Sequence, residues 1–112
     1  MAEKIRVVMV CAMGMSSSLL EAATIKAAKE AGADFEMRSI SAQEMGVYDF
    51  DAHPVDIVLV APQVMFKRRS IKQAAEPRGI IVQDIEATTY GMVDGEKLFQ
   101  QILTSYKEKH EQ

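Results

Sequence analysis

Residues 5–20 read IRVVMVCAMGMSSSLL, and the change of pattern inside this stretch decides the fold class of the chain. The first part, residues 5–10, is β-branched and apolar with almost no alternation, which is typical of a parallel strand covered on both faces. A short turn over residues 11–15 follows, and the sequence then becomes rich in the helix formers Ala, Leu, Lys and Glu. The stretch therefore predicts a buried strand, a tight loop and a helix in direct succession.

The helix after the loop carries signals for both of its ends. Ser18 and Glu21 stand three residues apart and form a capping-box pattern, which predicts a helix start between Ser16 and Leu19. Gly32 is the natural stop, because glycine readily adopts the left-handed conformation that closes a helix.

Further strands and helices alternate along the rest of the chain. The expected strands are residues 35–40, 56–61 and 79–83. The expected helical segments are residues 41–46, residues 62–75 and a final helix. This last helix carries an apolar stripe formed by Leu98, Phe99, Ile102, Leu103 and Tyr106. We expect residues 88–95 to form turns and the charged tail, residues 107–112, to fray. This alternation predicts an α/β fold with an open, four-stranded parallel sheet and helices on both faces.

The composition fits one globular domain over residues 1–112. Hydrophobic residues make up 48% and charged residues 26% of the chain, which is the balance of an ordinary folded domain. The net charge of −3 argues against a nucleic-acid binder, since such proteins need a basic face to displace counterions. Cys11 is the single cysteine, so no internal disulfide can form and a reducing compartment is expected.

No segment of the sequence predicts membrane insertion. The longest apolar stretch near the start, residues 7–15, is too short to span a bilayer and contains Gly14. It also lacks the positively charged N-terminal region and the cleavage site of a secretory signal peptide. We therefore expect a cytoplasmic protein that would reach a membrane process only by docking.

The cysteine loop, residues 11–15, has the features of an anion site. Ligands of parallel α/β sheets bind beyond the carboxyl ends of the strands, and Cys11 follows the first strand. Loop amides and the helix N-terminus would present N–H groups to a phosphate, and Gly14 would let the backbone turn tightly. The expected phosphate-binding residues are Ala12, Met13, Gly14, Met15, Ser16, Ser17 and Ser18. Because a thiolate is a good nucleophile, Cys11 is the candidate acceptor of a phosphoryl group.

Three other interpretations of the loop stay open at this point. In the simplest, Cys11 is a small buried residue and the serines only cap the helix. In another, the chain is an enzyme of the low-molecular-weight tyrosine phosphatase or arsenate reductase type, which carries an arginine six residues after its cysteine and an Asp-Pro pair. Here Ser17 holds the arginine position and no Asp-Pro pair occurs, so the bidentate phosphate clamp is missing. In the last, a regulatory module keeps a phosphorylatable Cys11 outside transport.

Three segments resemble the enzyme IIB subunits of the lactose/cellobiose/chitobiose phosphotransferase family. Residues 8–20 are similar to its strand, C-x-x-G-M-S-[ST]-S-L-L loop and helix. Residues 58–63, VLVAPQ, resemble its third strand, which ends in Gly-Pro-Gln, although Ala61 departs from that pattern. Residues 90–95, YGMVDG, resemble its Y-G-x-[VM]-[DN]-G segment. The matches follow the family's order, and the loop differs from mannitol- and galactitol-type IIB subunits, which usually carry Gly-Thr after the glycine.

The resemblance implies a flavodoxin-like sheet in the order 2-1-3-4, similar to low-molecular-weight tyrosine phosphatase. It also implies that Cys11 receives phosphate from a phosphohistidine of enzyme IIA. The phosphate would pass to a sugar, expected to be a β-linked disaccharide, that is held by the membrane permease enzyme IIC. No cofactor is expected, and a small relay subunit that presents one face to two partners in turn is expected to be monomeric.

A few residues outside the loop are further candidates. Pro62 and Gln63 follow the third strand, where Pro62 opens a helix and Gln63 either shares that role or orients the loop or its phosphate. Tyr90 either packs with its hydroxyl at the surface or brings that hydroxyl close to the cysteine loop. His53 and His110 have no second ligand at a useful spacing, so no metal site is expected.

A cluster of basic residues also follows the third strand. Its members are Lys67, Arg68, Arg69 and Lys72. Such a cluster is either a solvated helix face or a surface that attracts an acidic or phosphorylated partner.

Overall fold

Strands and helices alternate along the part of the chain that the computed structural model describes, residues 4–110. The strands are β1 (Ile5–Cys11), β2 (Phe35–Ser41), β3 (Ile57–Val60) and β4 (Ile81–Asp84). The α-helices are α1 (Met15–Glu30), α2 (Ala42–Gly46), α3 (Arg68–Ala75), α4 (Ala87–Gly91) and α5 (Gly95–His110). Two 3-10 helices, Pro62–Lys67 and Glu76–Arg78, flank α3.

The strands form one parallel sheet in the order β2-β1-β3-β4, which confirms the predicted fold. Met9 of β1 pairs with Leu59 of β3 at the centre of the sheet, and both side chains are fully buried. Burial on both faces explains why these two strands read as unbroken apolar runs. The crossovers from β1 to β2 and from β3 to β4 run in opposite directions across the sheet. Right-handed connections therefore place α1 and α3 on opposite faces.

The carboxyl ends of β1 and β3 meet where the winding of the chain reverses. The chain leaves β1 toward β2 on one side, whereas β3 and β4 lie on the other side. The Ala61 N–H donates to the Val10 carbonyl over 3.0 Å, so the two strand ends are held side by side. Such a switch point leaves a crevice at the carboxyl edge of the sheet, which is where ligands bind in open α/β folds.

Helix α1 begins at Met15, one residue before the predicted range, and its cap differs from the prediction. Gly14 is the cap residue and supplies no side-chain hydrogen bond, so the predicted capping box at Ser18 is wrong. A capping box occurs instead at the start of α2, where Ser41 and Glu44 bond each other's backbone N–H groups. Gly32 has a φ of +73° just after α1, which confirms the predicted stop.

Two segments of the second half differ from their predictions. Residues 62–75, expected as one helix, form a 3-10 helix up to Lys67 and then α3, and the backbone is also kinked at Val64 (φ −121°, ψ 21°) inside the first part. Residues 88–95, expected as turns, lie mostly in α4 and the start of α5.

Helix α5 also runs further than predicted. It continues to His110, although fraying was expected from Lys107 onward. The rings of Tyr106 and His110, one turn apart on the helix, lie 4.1 Å apart, so a side-chain contact is made within its last turn. The remainder of the expected tail, residues 111–112, lies outside the described residues. Among the helices of residues 4–110, none is long and apolar enough to cross a membrane.

Candidate active site at the carboxyl edge of the sheet

Cys11 is the last residue of β1 and lies in the crevice between the strand ends. Its side chain is 1% exposed, whereas the next residues of the loop, Ala12 to Met15, are all exposed. The sulfur lies 3.6 Å from the Met13 thioether sulfur and 3.7 Å from the Ile40 carbonyl oxygen of β2. Both neighbours are acceptors, so in this arrangement the thiol is the donor.

An open hollow of about 600 Å³ adjoins the thiol. We call it the Cys11 hollow, and its lining residues are Cys11, Ala12, Met13, Ser41, Ala42, Gln43, Val64, Phe66 and Lys67. Its walls therefore come from the loop after β1, the start of α2 and the 3-10 helix after β3. The hollow is large enough to admit a phosphate-sized group beside the sulfur.

The tight turn of the cysteine loop depends on Met13 rather than on Gly14. Met13 has a φ of +60°, a left-handed conformation that an L-residue adopts at a cost of about 1–2 kcal/mol. Gly14 has an extended backbone (φ −98°, ψ 179°) that any residue can adopt, and a Cβ there would meet nothing within 4 Å. The expectation that Gly14 is needed for the turn is therefore wrong, and a side chain at position 14 would extend into open space.

Met13→Gly should increase the reactivity of Cys11 without unfolding the protein. The change removes the thioether that lies on the thiol. It relieves the left-handed strain, which offsets the entropy cost of a glycine, so stability should change by less than about 1 kcal/mol. The measurement is the rate of Cys11 alkylation by iodoacetamide. Met15→Gly, which alters a thioether that is 80% exposed on the other side of Gly14, is the control, and equal rates in both variants would contradict the covering role of Met13.

The three serines of the predicted phosphate site have separate environments. Ser16 and Ser18 are exposed at the start of α1. Ser17 is 1% exposed, and its hydroxyl hydrogen-bonds the Tyr90 hydroxyl over 2.5 Å. The structure therefore directs the Ser17 hydroxyl to a buried partner on α4, and it does not support direct phosphate contact by that hydroxyl.

Tyr90 anchors the start of α1 from the far half of the sequence. It is buried, so the interpretation with a surface hydroxyl is wrong, and its hydroxyl meets Ser17 at the start of α1, two residues after the cysteine loop. Tyr90 belongs to the YGMVDG segment, so this segment supports the helix that follows the cysteine loop.

Tyr90→Phe should destabilise the fold by about 1–3 kcal/mol, because it leaves the buried Ser17 hydroxyl without a partner. Ser17→Ala should cost a similar amount, and the double variant should cost less than the sum of the two. Urea unfolding of the four proteins provides the measurement. Tyr48→Phe is the matched control, since within the described residues its hydroxyl makes no hydrogen bond. Fully additive losses at Ser17 and Tyr90 would rule out the coupling.

Pro62 and Gln63 lie at the edge of the site and not on the walls of the Cys11 hollow. Pro62 is half-buried and opens the 3-10 helix, as its fixed φ favours. Gln63 is exposed. The wall is formed instead by Val64, Phe66 and Lys67 from the same 3-10 helix, and these three residues were missed as parts of the site.

The residues that β2 and α2 contribute were also missed. Ser41, Ala42 and Gln43 line the hollow because Ser41 pairs with Cys11 in the parallel register of β1 and β2. The predicted strand order carried this signal, since neighbouring parallel strands bring their carboxyl ends together. Within residues 4–110, no group of three His, Cys, Asp or Glu side chains is arranged to hold a metal ion.

Fold and site together define a class of protein: a flavodoxin-like α/β domain with a cysteine loop between its first strand and first helix. The model of the family described as PTS system, lactose/cellobiose-specific IIB subunit, matches residues 6–101. The chain belongs to this family. It is thus a component of a sugar phosphotransferase system, and EIIB components work with IIA and IIC partners.

Individual relatives agree with the family match. The chain is 34% identical over 100 residues to the PTS system galactose-specific EIIB component of Lactococcus lactis subsp. cremoris, covering 88% of this chain and 92% of that protein. It is 33% identical over 100 residues to the PTS system cellobiose-specific EIIB component of Lactococcus lactis subsp. lactis, with the same coverage of 88% and 92%. The solution structure of a cellobiose-specific phosphotransferase IIB component from Borrelia burgdorferi superimposes with a TM-score of 0.75 at 28% identity, covering 96% of this chain and 95% of that one.

Proposed function

We propose that Cys11 is the phosphoryl carrier of this chain. It accepts a phosphoryl group from a phosphohistidine of an enzyme IIA and passes it to a sugar bound by an enzyme IIC permease. The observation that supports this most strongly is the place of Cys11, at the end of a central strand and on the wall of an open hollow ahead of helix α1. A chain in a phosphotransferase family needs a nucleophile at the ligand edge of its sheet, and Cys11 is the single thiol.

In the first transfer, the Cys11 sulfur attacks the phosphorus of the phosphohistidine. The S–P bond forms as the N–P bond breaks, and the thiol proton goes to the histidine nitrogen that the phosphoryl group leaves. In the second transfer, a sugar hydroxyl attacks the same phosphorus. The O–P bond forms as the S–P bond breaks, and the hydroxyl proton returns to the sulfur or to solvent.

The N-terminus of α1 supports the intermediate between these steps. The first N–H groups of a helix lack intrahelical partners and favour an anion, which is a general property of helix starts. Gly14 leaves space beside them for phosphate oxygens. Ser17 stands where a phosphatase of the related fold has arginine, so the loop holds a phosphate without a guanidinium clamp. That arrangement suits a carrier, because the intermediate must persist until the acceptor arrives.

We propose a β-linked disaccharide as the sugar, although the Cys11 hollow does not select it. Two relatives of nearly equal identity are named for galactose and for cellobiose, and the permease holds the sugar in a system of this kind. The chain would act in the cytoplasm as a monomer and dock on the permease. Several apolar side chains near the hollow are exposed and suit transient contacts with one partner after the other. They are Met13, Met15, Met65 and Phe66.

The test is direct phosphorylation. The protein is incubated with phosphoenolpyruvate, the general phosphotransferase proteins and the cognate enzyme IIA, and its tryptic peptides are analysed by mass spectrometry. We expect one added phosphoryl group on the peptide of residues 7–26, located at Cys11. Phosphate on a serine of that peptide, or on none of its residues, would contradict the proposal.

A further inference from the structure

The basic cluster near the site divides into residues with different surroundings. The Arg68 guanidinium forms an ion pair with the Asp84 carboxylate at the end of β4. Arg69 and Lys72 lie on α3 and do not line the Cys11 hollow. Lys67 does line it. Within residues 4–110 no carboxylate pairs with Lys67, so its positive charge is available to another anion.

Lys67 is held at the hollow by the 3-10 helix after β3. Val64 buries its side chain in the core and fixes the start of this segment. The Lys67 carbonyl accepts a hydrogen bond from the Ser70 hydroxyl over 3.0 Å. The Lys67 ammonium lies 5.9 Å from the centroid of the Phe66 ring, and Phe66 lines the same hollow. The backbone of Lys67 is thus fixed at the hollow, and none of these contacts offsets the charge of its ammonium.

The other walls of the hollow supply no ionic counter-charge. Apart from Lys67 and the thiol itself, the lining side chains are apolar, hydroxyl or amide groups. The position at which the related phosphatases carry arginine is Ser17, whose hydroxyl is buried against Tyr90. A phosphorylated side chain carries about 1.5–2 negative charges at neutral pH. Among the described residues, Lys67 is therefore the single basic side chain on the wall of the hollow that a phosphoryl group on Cys11 would enter.

We infer that Lys67 is the residue that binds the anionic group on Cys11 and offsets part of its charge. This role rests on the proposed function, and it places a cation from outside the cysteine loop next to the proposed phosphoryl group. A lysine suits this role because its ammonium is a mobile point charge, which attracts a phosphoryl group without the rigid two-point grip of arginine. Lys67 would thus favour arrival of the phosphoryl group and still allow its departure.

Two alkylating reagents test the charge without any partner protein. Iodoacetate is an anion and iodoacetamide is its neutral analogue, so the ratio of their rates at Cys11 reports the positive potential at the sulfur and cancels changes in exposure. We expect Lys67→Gln to lower the iodoacetate-to-iodoacetamide ratio about three- to ten-fold at low ionic strength. The deficit should shrink as salt is added, because exposed charges are screened.

Two further variants separate a local charge from a structural or net-charge effect. Arg69→Gln removes the same unit of net charge from a neighbouring position off the hollow, and it should leave the ratio nearly unchanged. Lys67→Arg keeps the charge and should preserve the ratio. An equal fall in Lys67→Gln and Arg69→Gln, or no fall in either, would overturn the inference.

Phosphorylation then distinguishes this inference from the proposed function. If wild type is phosphorylated on Cys11 and Lys67→Gln accepts phosphate at the wild-type rate, phosphoryl transfer through Cys11 is supported and the proposed role of Lys67 is wrong. If the reagent ratio depends on Lys67 but Cys11 never takes up phosphate, the anion site stands and the relay fails. Slower phosphorylation of Lys67→Gln than of Arg69→Gln supports both.

Discussion

Cys11→Ser should fold normally and lose phosphoryl acceptance by at least about a thousand-fold, a loss typical of removing an enzyme's nucleophile. The side chain is small, but the Ile40 carbonyl lies 3.7 Å from the sulfur, which is too far for a hydrogen bond from a serine hydroxyl. The buried hydroxyl should therefore lower stability by about 1–3 kcal/mol, a loss that leaves the fold intact. The described surroundings of Cys11 offer no base to activate a serine, since its two hydrogen-bond partners are a thioether and a carbonyl. Radiolabel transfer from phosphorylated enzyme IIA measures the effect.

The same variant separates a carrier from a phosphatase. Wild type should accumulate a stable phosphocysteine and show negligible turnover of p-nitrophenyl phosphate, because the loop has no arginine to stabilise transition-state charge. Steady hydrolysis by wild type that disappears in Cys11→Ser would overturn the carrier assignment. Phosphorylation of the variant at the wild-type rate would show that another residue is the acceptor. Thermal unfolding of both proteins provides the control for folding.

Gly95→Ala should strongly destabilise the protein, with a loss of about 3 kcal/mol in the free energy of unfolding from overpacking. A Cβ at Gly95 would lie 2.3 Å from the Ala23 backbone carbon and 2.4 Å from its carbonyl oxygen. Gly95 is buried where α5 begins against α1, so relief requires the two helices to move apart. Denaturant unfolding measures the loss.

Two comparisons make this prediction specific. Gly91→Ala alters the other glycine of the YGMVDG segment, where a Cβ would meet nothing within 4 Å, and it should change stability by less than about 1 kcal/mol. Ala23→Gly should not rescue Gly95→Ala, because the closest atoms belong to the Ala23 backbone and remain. Full rescue, or equal losses at Gly91 and Gly95, would show that the helix contact is not what requires glycine.

The fold could be predicted from local sequence patterns, because the composition of each central strand and helix reflects how deeply it is buried. A strand that is buried on both faces has no alternating polar residues, so the sequences of β1 and β3 are continuous apolar runs. The apolar stripe of α5 and the glycine stop of α1 are equally local. Helix boundaries are less strongly encoded, since the backbone conformation of the preceding loop also sets where a helix starts. Met15 began α1 because the left-handed Met13 turns the chain just before it.

The α/β class, the family and the thiol at the ligand edge of the sheet can all be predicted from residues that are close together in the chain. Which other side chains reach that edge depends on the tertiary structure. Ser17 bonds Tyr90 across 73 residues, Gly95 lies against Ala23, and Lys67 lines the same hollow as Cys11. No local pattern carries such pairings, since they depend on how strand order and helix packing bring distant segments together.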